Sequence, residues 1–229
     1  MKLKKIDSFF LNHSFLVIIF SALFIELIGH YHAKSFIFSK NFYYSWIILR
    51  IPLPLLILYL CKIPLKGIGL KWKRPDKKIL KLLFFLILLV SLAFIFIHSF
   101  NLYFNYYSSF RGPSSNKLSR FLNFMIFTLS TLPAWEFFHR GFLLMGLTYL
   151  LKDREQISKK TSWIIAISVV WIFEVVFHFI KPETEALGML IGSPLLSYLA
   201  LRTKSIWLPF LLHFYVEILF IGSLLWCQR

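Results

Sequence analysis

Long apolar runs separated by short polar segments make up most of this chain. A helix needs about 20 residues to cross the hydrocarbon core of a bilayer. Seven runs approach or exceed that length, at residues 9–29, 43–61, 82–104, 121–151, 162–180, 186–201 and 206–226. Strands of a membrane barrel alternate apolar and polar residues, whereas these runs are continuously apolar, so they predict helices. The predicted fold is an all-α, polytopic transmembrane helix bundle of about seven to eight spans.

Prolines predict irregular helices at three places in this bundle. Arg50 and Pro52-Leu53-Pro54 interrupt the second run, so a kink is expected there. The run 121–151 is too long for one perpendicular crossing of a ~30 Å core. It must tilt, protrude or break, and Pro133 marks the expected break. A broken or tilted helix is also expected near Pro182, after the fifth run.

The amino-acid composition excludes a soluble domain, and it therefore changes how the net positive charge is interpreted. Of 229 residues, 58% are hydrophobic, which is more apolar side chain than a soluble fold can bury. The net charge of +16 would suggest nucleic acid in a soluble protein. Here the basic residues lie mostly between the apolar runs, where the positive-inside rule accounts for them. No base-reading or stacking module accompanies them, so we expect membrane lipids and no nucleic acid as partners.

The basic residues also predict an orientation. Seventeen Lys and Arg residues lie in the segments on one side of the predicted bundle and seven on the other. The richer side comprises the segments 1–8, 62–81, 152–160 and 202–205. The positive-inside rule therefore predicts that the amino terminus is inside. The expected location is the cytoplasmic (inner) membrane of a bacterium.

Ionisable residues in the later apolar runs form pairs separated by four positions. The pairs are Glu136 with Arg140, Glu174 with His178, and His213 with Glu217. This spacing puts both members of a pair on the same face of a helix. Because lipid cannot satisfy such groups, all three polar faces are expected to point into the bundle.

These pairs have a structural and a chemical interpretation. A single pair can join helices, and an interhelical polar contact stabilises by about 0.6 kcal/mol on average. Three pairs together carry a charge of −2 when the histidines are neutral, so the site must take up protons or bind a cation. Two histidines and a glutamate can hold a catalytic zinc ion, and a buried glutamate can act as a general base on water. His139 shares a face with Glu136 and is interpreted as a structural histidine, with a site role as the alternative.

The order of these residues resembles the CPBP family, the CAAX-protease and bacteriocin-processing (ABI) proteins. The resemblance is carried by Trp135-Glu136-x-x-x-Arg140-Gly141, by His178 one span later, and by His213 with a polar residue four positions on. The family pattern is Glu-Glu-x-x-x-Arg-Gly, then Phe-x-x-x-His, then His-x-x-x-Asn/Asp. The segment Leu199–Pro209 is similar to the family's turn into its last motif, and the resemblance covers about residues 120–217.

The resemblance implies a division of the chain and a role for four residues. Residues 1–119 would hold amino-terminal transmembrane helices and a basic cytoplasmic loop, and residues 120–229 a CPBP-like protease core. Glu136 would be the second glutamate of the first motif and Arg140 its partner. The two catalytic or metal-coordinating histidines would be His178 and His213.

The chain departs from the family pattern at three positions. Trp135 replaces the first glutamate, which usually activates water, and Glu174 replaces the phenylalanine of the second motif. Glu217 replaces the final Asn or Asp. We therefore hypothesise that Glu174 supplies the missing carboxylate and faces His178. The candidate catalytic residues are Glu136, Arg140, Glu174, His178, His213 and Glu217.

The expected activity is that of an intramembrane endopeptidase. A water molecule activated by glutamate and histidine would hydrolyse a peptide bond in a membrane-associated peptide or protein. A divalent metal such as zinc could take part, with His178, His213 and Glu174 as its ligands. One alternative is a catalytically inactive relative that binds a peptide or confers immunity. The other is a small transporter, a class that usually shows internal repeats, which this sequence lacks.

Overall fold

Helices form nearly all of the structure, a computed structural model that describes residues 13–36, 47, 49–99, 116–178 and 183–222. No strand occurs in these ranges, so the predicted all-α class is confirmed. The α-helices are α1 (Ser14–Phe36), α2 (Pro52–Leu60), α3 (Lys77–Ser99), α4 (Lys117–Glu136), α5 (Gly146–Tyr149), α6 (Lys159–His178), α7 (Glu183–Thr203) and α8 (Trp207–Glu217). Wider π-helical turns cover Phe137–Met145, Leu150–Arg154 and Ile218–Gly222, and a 3₁₀ turn covers Leu65–Gly67.

The described residues contain four stretches long and apolar enough to span a membrane. They are Lys77–Phe96, Leu118–Arg154, Lys159–His178 and Ala186–Thr203. Ser14–Gly29, which is part of α1, and Trp207–Phe220 are shorter apolar stretches among the described residues. These helices fit an integral membrane protein, but seven to eight spans are not confirmed. The inside position of the amino terminus and the bacterial inner membrane stay predictions.

The central helix does not break at Pro133, so the expected break is wrong, whereas a tilt of this helix stays a prediction. α4 passes through Pro133 and continues through Phe137–Met145 and α5, so that Leu118–Arg154 is one helical stretch of 37 residues. Proline removes its own backbone donor but keeps its carbonyl. The backbone N–H of Phe137 donates to the carbonyls of Pro133 and Ala134. The helix therefore remains continuous past the proline, and it goes on as the wider π-helical turns of Phe137–Met145. Pro182 lies outside the described residues.

The expected kink near Arg50 is confirmed. Ile51 has φ −121° and ψ −68°, which departs from helical values, and α2 begins at the next residue with Pro52. Proline suits the first turn of a helix because its missing N–H would have no partner there.

A single apolar cluster joins the first two helices to the central helix. Its buried members include Ile18, Ala22 and Ile25 of α1, Ile57 and Leu58 of α2, and Phe138, Phe142 and Leu147. Burial of these side chains is the main favourable term that holds α1 and α2 in place. It brings Glu26 and Arg50, both buried, toward the middle of the bundle. The predicted division at residues 119 and 120 stays a prediction.

Candidate active site

The first candidate residues lie on a buried π-helical stretch in the middle of the chain. All nine residues of Phe137–Met145 are buried, and Glu136 directly precedes them. A π turn joins residue i to residue i+5, which makes it wider than an α turn, and such turns occur frequently at functional sites. Glu136, His139 and Arg140 therefore extend from the widened part of the central helix, and none of them is exposed.

Gly141 lets this stretch lie directly against the segment that follows α2. A Cβ atom at position 141 would lie 2.9 Å from Cδ2 of Phe137 and 3.1 Å from the backbone oxygen of Ile68. A side chain can rotate away from such a contact, but the backbone oxygen of Ile68 cannot. The close approach therefore favours glycine at this position, because any larger residue would force the two segments slightly apart.

Gly141→Ala is expected to lower the free energy of unfolding by about 1–3 kcal/mol through overpacking. The measurement is unfolding by SDS titration in mixed micelles. Gly188→Ala is the matched control, because a Cβ atom there would meet nothing within 4 Å. It should stabilise α7 by roughly 0.5–1 kcal/mol, since glycine in a helix carries an entropic cost. Equal effects of the two substitutions would contradict the close approach.

Arg140 lies between two buried glutamates and binds them unequally. Its Nη1 donates to Oε1 of Glu174, and its Nη2 donates to Oε2 of the same carboxylate at 2.8 Å. Its Nε lies 3.5 Å from Oε2 of Glu136. A forked guanidinium–carboxylate pair is the stronger geometry. Arg140 shares a face with Glu136, as the spacing predicts, but its main partner comes from α6.

His213 of α8 contacts the other oxygen of Glu136. Its Nδ1 donates to Oε1 of Glu136 at 2.6 Å, and its Nε2 lies 3.7 Å from Oε1 of Glu217. The side chains of His213 and Glu217 are 11% and 20% exposed, whereas Glu136 is fully buried. The polar site is therefore closest to the outside of the bundle at α8. No residue in the described part of the chain donates a hydrogen bond to Oε2 of Glu136.

His178 and Trp135 lie on the opposite side of the site, next to Glu174. Nδ1 of His178 lies 2.6 Å from the backbone oxygen of Glu174 and donates to it, because a carbonyl oxygen only accepts. The ring of His178 packs edge-on against Trp135, with ring centres 5.7 Å apart. Nε1 of Trp135 donates to Oε1 of Glu174 at 3.1 Å. At the position of the family's first glutamate, this chain therefore has a hydrogen-bond donor for a buried carboxylate.

Sequence reasoning missed two residues that also reach the site, Glu26 of α1 and Arg50 before α2. Nη2 of Arg50 donates to Oε2 of Glu26 at 2.7 Å, and both side chains are buried. Oε1 of Glu26 lies 3.4 Å from Nε2 of His139, and Nδ1 of His139 lies 3.9 Å from Oε1 of Glu174. The guanidinium of Arg50 lies 5.1 Å from the ring centre of Trp135. The sequence offered one signal for this pair, because Glu26 and Arg50 are oppositely charged residues within predicted membrane spans.

These contacts make one polar chain through the bundle, which is buried except at His213 and Glu217. Its members, in order of contact, are Arg50, Glu26, His139, Glu174, Arg140, Glu136, His213 and Glu217. His178 joins it through Trp135 and the backbone of Glu174, so the structure brings all six candidate residues together. Arg50 offsets Glu26, and the charge stays at −2 when the carboxylates are ionised and the histidines neutral.

The three side chains expected to hold a metal do not fit a metal centre in this arrangement. Both oxygens of Glu174 accept hydrogen bonds from Arg140, so a guanidinium cation already lies against this carboxylate. Nδ1 of His213 is engaged by Glu136. Within the described ranges, no three His, Cys, Asp or Glu side chains are grouped as metal ligands would be.

The apolar helices and the buried cluster of Glu, His and Arg side chains define a helical membrane protein with a polar site at its centre. Residues 117–219 match the family model of the type II CAAX prenyl endopeptidase Rce1-like proteins. The CPBP resemblance is thereby confirmed for this stretch, which is slightly less than half of the chain. Comparison with curated proteins gives no match, and neither does comparison with solved structures.

Proposed function

We propose that this protein is an intramembrane endopeptidase that hydrolyses a peptide bond in a membrane-associated peptide or protein. The observation that carries the proposal is the 2.6 Å contact between Nδ1 of His213 and Oε1 of Glu136. Both residues occupy motif positions of a protease family that matches this region. Glu136 keeps Oε2 without a hydrogen-bond donor among the described residues, so this oxygen can accept a proton from water.

Glu136 acts as the general base in this proposal. The water oxygen attacks the carbonyl carbon of the substrate while Oε2 of Glu136 takes the water proton. When the carbon–nitrogen bond breaks, that proton passes to the amine nitrogen, and the products are a carboxylic acid and an amine. His213 holds Oε1 of Glu136 during both steps, and His178 provides an imidazole on the opposite side of the site.

Glu174 has a holding role, which differs from the role expected from the sequence. Its two oxygens accept from Arg140 and one also accepts from Trp135, so its hydrogen-bonding capacity is largely used. It fixes the guanidinium that lies beside Glu136. The proposed route needs no metal, and activity should persist after chelation and metal-free dialysis, with metal content measured by mass spectrometry.

The proposed substrate is a prenylated, sorting-signal or bacteriocin-like chain anchored at the membrane. It would enter near α8, where His213 and Glu217 are the partly exposed members of the site. The protein would lie in the cytoplasmic membrane of a bacterium with its amino terminus inside, as its basic residues predict.

Glu136→Gln is expected to reduce peptide cleavage at least a hundredfold, because amide nitrogen and oxygen cannot replace a general base. The assay uses the full chain in proteoliposomes with quenched fluorescent peptides, including prenylated ones. His178→Ala should also reduce cleavage, whereas Glu174→Gln should have a smaller effect. Glu155→Gln, at an exposed position, is the control for a generic loss of charge.

Three outcomes separate the assignments of the base. Unchanged cleavage in Glu136→Gln, Glu174→Gln and His178→Ala would refute the proteolytic mechanism. A large loss in Glu174→Gln with an active Glu136→Gln variant would make Glu174 the base. Activity lost on chelation and restored by zinc would refute the metal-free route.

A second candidate function is favoured by Trp135, which replaces a carboxylate of the family motif and binds Glu174. In this case the protein is an inactive relative that binds a peptide or confers immunity. Wild-type protein would then bind the peptides by fluorescence anisotropy and leave them intact. Cleavage by the wild-type protein would exclude this candidate.

A further inference from the structure

A cavity of about 310 Å³ lies at one end of the core helices, away from the polar chain. Its walls come from the loop after α2, from the end of the central helix, and from the adjoining ends of α6 and α7. Its lining begins at Met145, five positions after Arg140 and roughly 7–8 Å along an α-helix, and extends to Lys152, twelve positions after Arg140 and roughly 18 Å along. No member of the polar chain lines the cavity, and its volume falls in the range of roughly 300–1,000 Å³ for small-molecule sites.

The lining of the cavity is cationic at some positions and apolar at others. Lys152, Lys159 and Lys204 are its basic residues, and Asp153 is its acidic one. Nζ of Lys152 lies 3.1 Å from Oδ1 of Asp153, so one lysine is partly offset and the local charge is +2. The remaining lining is largely apolar and includes Met145, Trp163 and Leu201. Nζ of Lys159 lies 4.9 Å from the ring centre of Trp163, so the basic part of the lining directly adjoins the apolar part.

The ends of three candidate membrane spans meet at this cavity. The span Leu118–Arg154 ends there, Lys159–His178 begins there, and Ala186–Thr203 ends there. Ends of membrane-spanning helices lie at the level of the lipid headgroups. Lysines and tryptophans at this depth contact headgroups and the upper part of the acyl chains. The cavity therefore opens where phospholipid is the most abundant amphiphile.

We propose that this cavity binds one anionic phospholipid. The phosphate lies among Lys152, Lys159 and Lys204, and the first part of an acyl chain lies against Met145, Trp163 and Leu201. Basic pockets between membrane helices bind anionic lipid headgroups in this way. A free phosphate would use the lysines but leave the apolar lining unused. The proposal does not depend on the proposed proteolytic activity.

The test is native mass spectrometry of the full chain in detergent, titrated with phosphatidylglycerol or phosphatidylcholine. Wild-type protein should bind phosphatidylglycerol more tightly than phosphatidylcholine. The triple variant Lys152→Gln/Lys159→Gln/Lys204→Gln should raise the Kd for phosphatidylglycerol about a hundredfold, from roughly fivefold for each lysine near a lipid phosphate. These side chains are exposed, so the variant should elute and melt like the wild type.

The matched control is Lys71→Gln/Lys73→Gln/Lys78→Gln, which removes the same charge from exposed positions outside the cavity. This control variant should change the Kd for phosphatidylglycerol by less than about threefold, because it removes only long-range electrostatic attraction. An equal loss in both triple variants would show diffuse attraction and overturn the proposal. Equal affinity for the two lipids would also overturn it. Competition by sn-glycerol 3-phosphate at the same concentration would assign the cavity to a free phosphate.

Discussion

Arg140→Met is expected to lower the free energy of unfolding by about 3–5 kcal/mol, because it leaves buried carboxylates without their counter-charge. Arg140 donates to both oxygens of Glu174 and lies beside Glu136, and none of the three side chains is exposed. Trp135 still donates to Glu174 but carries no charge. The measurement is unfolding by SDS titration in mixed micelles, which reads stability without any assay of activity.

Two further variants show whether the loss comes from the unpaired charges. Arg140→Met/Glu174→Met replaces both members of the closest pair by apolar side chains and should recover much of the stability. Arg202→Met, at an exposed position, should change stability by less than about 0.5 kcal/mol. A single variant as stable as this control would refute the central position of Arg140.

Arg50→Met is expected to have a similarly large effect, about 3–5 kcal/mol, because the buried Glu26 would lose the guanidinium charge that pairs with it. The two side chains form a 2.7 Å ion pair and are 0% and 2% exposed. Arg50 also stacks on Phe138 and Trp135, and a Cβ atom on Gly29 would lie 3.0 Å from its Nη1. The same SDS titration measures the effect.

The double variant Glu26→Gln/Arg50→Met removes both charges and should be more stable than Arg50→Met alone. Arg74→Met, at an exposed position of the basic loop, is the matched single-residue control and should be near neutral. If Arg50→Met behaves like Arg74→Met, the pair does not hold α1 and α2 against the central helix.

The expected effect of Arg50→Met concerns the part of the chain that precedes the region matching the protease family model. Residues 117–219 match the protease family, whereas Glu26 and Arg50 lie well before them. Their contacts with His139 and Trp135 connect the first two helices to the candidate site. A version of the chain reduced to the matched region would lack these contacts.

Much of the candidate site could be predicted from residue types and spacing. Continuous apolar runs predict membrane helices, because lipid provides no partner for a free backbone donor or acceptor. Glutamate, histidine and arginine four positions apart in such runs must point inward for the same reason. The burial of Glu136, Arg140, Glu174 and His178 agrees with this reasoning.

Other features depend on which helices become neighbours. Spacing shows that Glu136 and Arg140 share a face but not that α6 brings Glu174 to the same guanidinium. Pro133 predicts a break, but the carbonyls near it still accept hydrogen bonds and the helix continues as wider turns. The number of spans is also not determined by apolar runs alone, since four stretches of the described residues are long and apolar enough to cross a membrane.

The sequence by itself therefore determined the helical class, the inward direction of the polar faces and the match of residues 117–219 to a protease family model. These properties follow from the free-energy cost of exposing charged groups and unpaired backbone groups to lipid. That cost applies to each segment independently of its neighbours, so the sequence of the segment is enough to predict them. The tertiary structure decided the partners within the polar chain, in which Arg140 pairs with Glu174, His213 with Glu136, and Arg50 with Glu26. Partner choice depends on distances between separate helices, and only their packing sets those distances.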